Sequence, residues 1–275
     1  MRNLMRAFFF KLIKDWTFRI TLFIGLGLAV TMTALYLIID NAIDMGQEGI
    51  RFCSGHNVFV SSLSPAQNFG LAVPVNLISF TVLEFTHGTI RNKIIAGNSK
   101  GKIYFSLLLS GLTFTFLLMI AYVSICTGLG SIFGGFNANG LVVGTGAAML
   151  SPEYLWKLSV LAILAYMLIT FVAVFFASVV RGIGPCIPIV ILLILVCYLS
   201  AAILGPLGEQ MPELQGAADV MRILNPFYSL AYSPTVNGTI TIDNQSFVTE
   251  IINTIVYSAI FIGGGFLIFK KRDVK

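Results

Sequence analysis

The chain has 275 residues, of which 57% are hydrophobic and 11% charged, with a net charge of +5 and a mean hydropathy of +0.90. Soluble domains carry roughly 25% charged residues, so this composition excludes an ordinary soluble protein and predicts an integral membrane protein. Its apolar runs are continuous rather than alternating, which favours an all-α membrane fold over a β-barrel.

Residues 1–19 form a basic N-terminal segment with five Lys or Arg residues and one acid, Asp15. At 100° per residue one side carries Met5, Phe8, Phe9, Leu12 and Trp16. The opposite side carries Lys11, Lys14 and Asp15. This pattern predicts an amphipathic helix that lies in the membrane interface. The alternative is a solvated basic flank that acts in topology alone.

Six apolar runs predict six membrane-spanning helices in a single domain, residues 1–275. Their bounds are residues 20–39, 65–83, 103–133, 155–180, 185–203 and 247–269. The second run is the least apolar, because it contains Gln67, Asn68, Pro74 and Asn76. Polar groups inside a span are tolerated where they face protein or a water-filled path. This run is therefore predicted to face an interior path or a dimer seam, although a lone Asn can equally serve in helix packing.

The distribution of positive charge predicts that both termini are cytoplasmic. Fourteen of the 17 basic residues then lie inside: five before the first span, four in residues 84–102, Arg181, and four in the C-terminal tail. The outer loops keep Arg51, Lys157 and Arg222. This asymmetry follows the positive-inside rule. The positive net charge therefore reflects membrane topology, and no nucleic-acid partner is expected.

Residues 84–102, EFTHGTIRNKIIAGNSKGK, form a short basic segment between two apolar runs. Thr86 or Thr89 can cap a helix, and Gly97 is a typical C-terminal cap residue. Ile90 and Ile94 are i,i+4 neighbours. These features predict a two-turn helix whose Ile90/Ile94 knob fits a groove on another protein. The alternative is a simple connecting loop.

The chain has no recognisable nucleotide, metal or catalytic site. Residues 97–102 (GNSKGK) lack the spacing and the Ser/Thr of a phosphate loop and do not follow a strand. The cysteines and histidines show no metal-binding spacing; they are Cys53, Cys126, Cys186, Cys197, His56 and His87. If the protein uses ATP, a separate chain must therefore supply the ATP site.

Two segments resemble type-2 ABC exporter permeases, the six-span subunits of drug, bacitracin-type, lantibiotic-immunity and peptide-toxin exporters. The first is the family's coupling-helix signature, carried here by Glu84, Gly88, Thr89, Ile90, Arg91, Asn92, Lys93, Ile94, Gly97 and Lys100. The second is the family's "NP" segment before the last span, here Asn225, Pro226 and Phe227. The order of elements matches along nearly the whole chain. Gly97-Asn98-Ser99 replaces the proline that frequently follows the coupling helix.

The resemblance implies partners and a location. Two ATPase subunits would bind ATP and Mg²⁺, leaving no cofactor in this chain, and would dock on the coupling helix and the N-terminal helix. A second permease, forming a homodimer, would meet the first, second and fifth spans, so that Gln67, Asn68 and Asn76 line the seam or the substrate path. Short re-entrant helices within residues 205–246 would form an outer gate at Asn225, Pro226 and Phe227. The setting would be a bacterial cytoplasmic membrane.

The resulting hypothesis is a non-enzymatic exporter subunit for amphipathic or hydrophobic cargo, such as antimicrobial or cytolytic peptides or drugs. The alternative is a stand-alone secondary transporter or channel. Ion-driven transporters place ionisable residues at depth, whereas the predicted spans lack such a run and Glu250 is predicted at the outer interface. A membrane-embedded enzyme would need paired carboxylates or His clusters at depth, and the sequence offers none.

Overall fold

The computed structural model describes residues 2–14, 16–42, 52–65, 69–136, 141–143, 146–150, 153–180, 182–233, 235–236 and 239–271. Most of them are helical. The helices are α1 (Arg2–Lys14), α2 (Trp16–Ala42), α3 (Gly55–Leu63), α4 (Ala72–Thr86), α5 (Thr89–Ile95), α6 (Lys100–Gly134), α7 (Tyr154–Val180), α8 (Ile183–Gln210), α9 (Pro212–Leu224), α10 (Tyr228–Ala231) and α11 (Asn244–Lys271). A 3₁₀ turn, Phe69–Leu71, precedes α4.

Four short strands form a small sheet between the long helices. They are β1 (Leu141–Val143), β2 (Gly146–Leu150), β3 (Thr235–Val236) and β4 (Thr239–Ile240), in the order β1-β2-β4-β3. The β1–β2 and β3–β4 pairs are antiparallel, and β2–β4 is parallel. The sheet therefore ties the segment before α7 to the segment before α11.

Among the described residues, five helices are long and apolar enough to cross a membrane. They are α2 from Phe18 onwards, α6, α7, α8 and α11. Their positions overlap the predicted first, third, fourth, fifth and sixth apolar runs, with ends that differ by a few residues; α8 continues to Gln210 rather than stopping at residue 203. The prediction of a helical membrane protein is thus confirmed at this level.

The predicted second span, residues 65–83, is wrong as a continuous helix. Its helical part is α4, which has 15 residues against the about 20 that a span needs. Pro65 follows the end of α3, and Pro74 occupies the first turn of α4, where a proline removes no helical hydrogen bond. A Cβ at Gly70 would lie 2.3 Å from the Pro65 carbonyl oxygen, so the connection folds tightly.

Helix α6, 35 residues and about 52 Å long, is the axis along which the broken second element packs. At one end, the Gly55 N–H at the start of α3 donates to the Gly135 carbonyl over 2.9 Å. Further along, the Leu77 side chain of α4 packs against Gly111. The α3–α4 pair therefore runs antiparallel to α6 and carries the chain from one end of the bundle to the other.

The bundle has two ends that differ in charge. The end that contains α1, α5, the start of α6 and the end of α11 is called the basic end. Its described side chains include ten bases and one acid: Arg6, Lys11, Lys14, Arg19, Arg91, Lys93, Lys100, Lys102, Lys270, Lys271 and Glu84. The opposite, acidic end has seven acids and two bases among its described side chains: Asp40, Glu153, Glu209, Glu213, Asp219, Asp243, Glu250, Lys157 and Arg222.

Helices α6 and α7 form the centre of the bundle, and α2, α8 and α11 lie outside it. The hydroxyls of Thr115 on α6 and Thr170 on α7 are 2.8 Å apart, a polar contact typical of membrane helix pairs. The outer helices expose large apolar side chains, such as Phe23, Leu192 and Ile255. Such a surface requires lipid or another protein chain to cover it.

Candidate coupling and gating sites

Helix α5 confirms the helix predicted within residues 84–102. It begins after Gly88, which has a φ of +64°, and ends before Gly97, which has a φ of +84°. The Gly97 N–H donates to Ile94, and the Asn98 N–H donates to Lys93, over 2.9 and 3.2 Å, which is a Schellman motif. Gly97 thus has its predicted role.

The predicted threonine cap of this helix is wrong. The Thr86 hydroxyl donates back to the Val82 carbonyl over 3.0 Å, because Thr86 still belongs to the last turn of α4. Gly88 occupies the N-cap position of α5, and no side chain caps the helix there. A glycine suits this position because its left-handed conformation turns the chain sharply out of α4.

Gly97→Ala is expected to destabilise the chain by about 1 kcal/mol. A Cβ at Gly97 would meet no atom within 4 Å, so the cost comes from the left-handed backbone rather than from a clash. Thermal unfolding of the purified chain measures the loss. Gly97→Asn should lose less, since Asn tolerates this conformation, and Gly128→Ala in the middle of α6, also without a clash, should not destabilise.

The exposed face of α5 differs from the predicted one. Ile90 is fully buried and Ile94 half-buried, and both pack against the chain's own core. The predicted Ile90/Ile94 knob is therefore wrong as an outward surface. A helix of seven residues is unstable alone, and its apolar pair is used to hold it in place. Arg91, Asn92 and Ile95 point outwards and are called the outer face of α5; Ile95 is 73% exposed.

Glu84, at the end of α4, is fully buried between two lysines. Its carboxylate accepts from Lys11 Nζ of α1 over 2.5 Å and from Lys93 Nζ of α5 over 2.8 Å. We call these three residues the Glu84 triad. A buried carboxylate needs such partners because removal from water is costly. The triad therefore joins α1, α4 and α5.

Phe8 completes the contact between α1 and α5. Its ring is fully buried, lies 6.4 Å edge-on from Phe80, and has Lys93 Nζ 3.2 Å from its centroid. Burial lowers the pKa of the Lys93 ammonium, and its hydrogen bond to Glu84 opposes that shift. The predicted apolar side of α1 thus includes Phe8, but Phe8 packs against the chain's own α4 and α5 rather than facing the membrane interface.

The remaining predicted side chains of α1 divide differently. Trp16 begins α2 and is 70% exposed, and Lys11, predicted on the polar side, reaches the buried Glu84. The side chains of Met5 and Leu12 lie outside the described residues. Among the described side chains of α1, the Phe8 ring and the Lys11 ion pair hold the helix against α4 and α5.

Lys100 links the segment after α5 to the last helix. Its Nζ donates to the Lys270 carbonyl over 3.2 Å, and Ser99 caps α6 by accepting from the Lys102 N–H. Phe85 on α4 packs 5.8 Å from Phe269. The end of α11 therefore belongs to the same assembly as α5 and the start of α6.

Asn76, predicted in the substrate path or dimer seam, is a buried packing residue. Its amide oxygen accepts from Thr21 of α2 over 2.6 Å, and its nitrogen donates to the Ala72 carbonyl over 2.7 Å. These bonds favour the helix-packing alternative. The other two predicted path residues, Gln67 and Asn68, lie outside the described residues.

The predicted outer-gate residues fold back deep along α8. Helix α9 returns antiparallel to α8 with Ala218 packed on Gly208. The Asn225 side chain donates to the Cys197 carbonyl over 2.5 Å, about 20 Å along α8 from its end at Gln210. Its oxygen accepts from the Phe227 N–H, which fixes the turn at Pro226. The short helices predicted for residues 205–246 are confirmed as α9 and α10.

The segment from α9 to α10, which contains the predicted outer-gate residues, is called the gate segment. Tyr198 connects it to the broken second element. Its hydroxyl lies 2.7 Å from Ser64 Oγ, just after α3, and donates to the Leu230 carbonyl of α10 over 3.0 Å. The sequence analysis missed this residue. A tyrosine in an otherwise aliphatic run is the signal, because a buried phenol usually finds a hydrogen-bond partner.

Glu250 is fully buried, so its predicted place at the exposed outer interface is wrong. Its Oε1 accepts from the Ser229 N–H and hydroxyl over 2.9 and 2.5 Å, while Oε2 has no hydrogen-bond partner among the described residues. Helix α10 covers it. The nearby buried Lys157 is fully paired, with Glu153, the Ile242 carbonyl and Asn244 within 3.0 Å.

A family model described as a protein of unknown function (DUF2705) matches residues 28–275. The chain belongs to the DUF2705 family. No curated protein and no solved structure matches it.

The family model covers only part of the basic end of this DUF2705 chain. The matched region contains Glu84, α5, the gate segment and Glu250, whereas α1, with Phe8 and Lys11, precedes it. Within the described part of the chain, no group of three His, Cys, Asp or Glu residues can hold a metal ion. The sites of the DUF2705 chain are therefore built from ion pairs and hydrogen bonds between helices.

Proposed function

We propose that this DUF2705 chain is the membrane subunit of an ATP-driven exporter whose ATPase subunits are separate chains. The observation that carries the proposal is the outer face of α5, a short helix that turns Arg91, Asn92 and Ile95 outwards at the basic end. The Glu84 triad fixes this helix to two others, so a force on α5 reaches the whole bundle. The resemblance to type-2 ABC permeases supplies the identity of the docking partner.

The proposed topology has six crossings, with α3 and α4 together forming the second. Helix α2 ends near α3, where Asp40 accepts from the Phe52 and Cys53 N–H groups. Helix α6 begins at the opposite end, so the chain between them must cross the bundle. The positive-inside rule assigns the basic end to the cytoplasm. In the proposed topology α1 and the end of α11 therefore lie on the cytoplasmic side of a bacterial cytoplasmic membrane.

The proposed partners are two ATPase subunits, which bind ATP and Mg²⁺, and a second copy of this chain. Helix α4 contacts both α2 and α8. Both of these flanking helices expose large apolar side chains, including Phe23 and Leu192. A seam built on α2, α4 and α8 would cover this surface and enclose a path between the two copies.

The proposed mechanism is a two-state movement of rigid elements. Closure of the ATPase pair would push α5, and the Glu84 triad would transmit the push to α1 and α4. The break after Ser64 would let α4 move relative to α3. Helix α4 also contacts α8, and α8 holds the outer-gate turn through the Asn225–Cys197 and Tyr198–Leu230 hydrogen bonds. The movement of α4 would therefore reach the turn at Asn225 and Pro226 and open the outer gate.

The proposed cargo is an amphipathic or hydrophobic molecule, such as an antimicrobial or cytolytic peptide or a drug. The support is the predominantly aliphatic surface of α2, α8 and α11. Such a surface suits contact with an apolar molecule rather than with a charged or strongly hydrophilic one.

A stand-alone secondary transporter is the second candidate, and two observations favour it. The buried Glu250 is an ionisable residue between helices, where proton or ion sites commonly lie. The second element is broken between α3 and α4, as in several gradient-driven transporters. The exporter is preferred because the Glu84 triad fixes α5 to the bundle with its outer face exposed. A partner ATPase could dock on that face, whereas a gradient-driven carrier needs no such surface.

Reconstitution distinguishes the two candidates. The chain is purified alone and after co-expression with a candidate ABC ATPase subunit, and each preparation is placed in liposomes with a fluorescent amphipathic peptide. The exporter predicts a stable complex and peptide movement that requires ATP hydrolysis. Peptide movement driven by a proton gradient without the ATPase, together with no complex, would reject the exporter in favour of the carrier.

A further inference from the structure

A cavity of about 370 Å³ opens at the acidic end between α8, α9, α10 and the start of α11. This volume lies within the range of small-molecule sites. Two glycines of α8 form part of its wall: a Cβ at Gly205 would lie 2.3 Å from the Tyr232 ring, and one at Gly208 would lie 2.4 Å from Ala218. The helices therefore approach closely around a space that they do not fill.

The charged side chains that line this cavity are predominantly negative. They include Glu209, Asp219 and Asp243 and one base, Arg222. Arg222 is already engaged, since its guanidinium donates to Asp243 and Ser246 over 2.8 and 2.5 Å. Within the described ranges, neither Glu209 nor Asp219 has a cationic partner within 4 Å. Glu209 shares a side-chain hydrogen bond with Tyr232, but neither its charge nor that of Asp219 is balanced by a base, so both carboxylates can attract a cation.

Two phenol rings add to this environment. Tyr228 and Tyr232 line the cavity with their rings 6.2 Å apart and nearly perpendicular. Burial raises the pKa of both phenols, and the negative charge of Glu209 adds to the shift. Aromatic faces beside carboxylates are typical of sites that bind organic ammonium groups.

Glu250 lies directly behind the cavity wall. Ser229, which lines the cavity, holds its buried Oε1, and Oε2 is buried without a hydrogen-bond partner among the described residues. The groups that act on this carboxyl are Ser229 of α10, which donates its N–H and its hydroxyl to Oε1, and Arg222 of α9. The Glu250 carboxyl also acts on Tyr228, which lines the cavity.

We propose that this cavity binds an organic cation, with Glu209 and Asp219 pairing with its ammonium or guanidinium group and Tyr228 and Tyr232 covering its alkyl chain. A polyamine or the side chain of a cationic peptide fits this description. A metal ion does not, because no group of three ligating side chains converges in the described structure. Binding requires no ATPase, so the site stands independently of the exporter proposal.

Calorimetric titration of spermidine into the full chain, held in nanodiscs of uncharged lipid, tests the site. Saturable one-site binding is expected that weakens as salt is raised. Triethylene glycol, a neutral chain of similar length, should not bind. Glu209→Gln and Asp219→Asn are each expected to raise the Kd about fivefold, and the pair to raise it further.

Glu213→Gln is the matched control. It removes the same charge from an exposed position of α9 outside the cavity lining, so its Kd should stay within twofold of the original. Spermidine that fails to saturate would overturn the proposal. An equal loss in Glu213→Gln would also overturn it, because binding would then follow the general negative charge of the acidic end.

Discussion

Glu84→Gln is expected to destabilise the folded chain by about 3 kcal/mol, the lower end of the range for breaking a buried ion pair. The substitution keeps the shape of the side chain but leaves Lys93 half-buried without its counter-charge, whereas the more exposed Lys11 can turn towards water. Thermal unfolding of the purified chain in detergent measures the loss. Stimulation of a bound ATPase by cargo should be lost at temperatures where the variant is still folded.

A double-mutant cycle separates the ion pair from other effects of this substitution. Lys93→Met keeps the length of the stem and removes the charge, so adding it to Glu84→Gln should cost less than the sum of the two single changes. Glu153→Gln is the control, since its 62% exposed carboxylate pairs with a lysine that keeps two other partners; it should cost under about 1 kcal/mol. Simple additivity of Glu84→Gln and Lys93→Met would show that the triad does not couple α4 to α5.

The five long helices could be predicted from the sequence because a continuous apolar run leaves the backbone no alternative to a helix in lipid. The break in the second run could not, because polar residues and a proline are also tolerated inside a continuous span that faces protein. Pro65 ends the helical path after α3, and Pro74 fits best in a first helical turn. Together they divide the element at the point where Gly70 permits a tight fold.

The existence of α5 could be predicted, but not the direction that it faces. Periodicity places Ile90 and Ile94 on one side of a helix, yet the same pattern suits a contact with another protein or with the chain's own core. The core contact is decided by α4 and α6, against which α5 packs only in three dimensions. The outer face is then set by the positions left over, Arg91, Asn92 and Ile95.

Glu250 shows the same limit for a buried charge. By position it lies near the start of a span, where a carboxylate normally meets water. The preceding segment folds back along α8, and its Ser229 hydrogen-bonds to the Glu250 carboxylate. No local pattern in residues 205–246 predicts that this segment packs over Glu250. The Asn225-Pro226 pair marks the turn, but its depth depends on the bond from Asn225 to Cys197.

The double substitution Arg91→Glu with Ile95→Asp is expected to weaken binding of the ATPase subunit about 30-fold or more while leaving the chain folded. Both side chains are exposed, so stability should change by less than roughly 0.5 kcal/mol. An arginine and an apolar side chain at the centre of an interface commonly contribute about 2 kcal/mol or more on truncation. Co-purification and surface binding assays with the ATPase measure the loss.

Two further variants decide how this result is interpreted. Ile223→Asp places the same charge on another exposed apolar position, in α9 at the acidic end, and it should bind the ATPase normally. Ile90→Asp buries a charge in the core beneath α5, and it should lose stability and binding together. Normal ATPase binding by the Arg91/Ile95 variant would remove the outer face of α5 as the docking surface. The exporter proposal would then lose the observation that carries it, because α5 would be packed against the basic end without binding a partner protein.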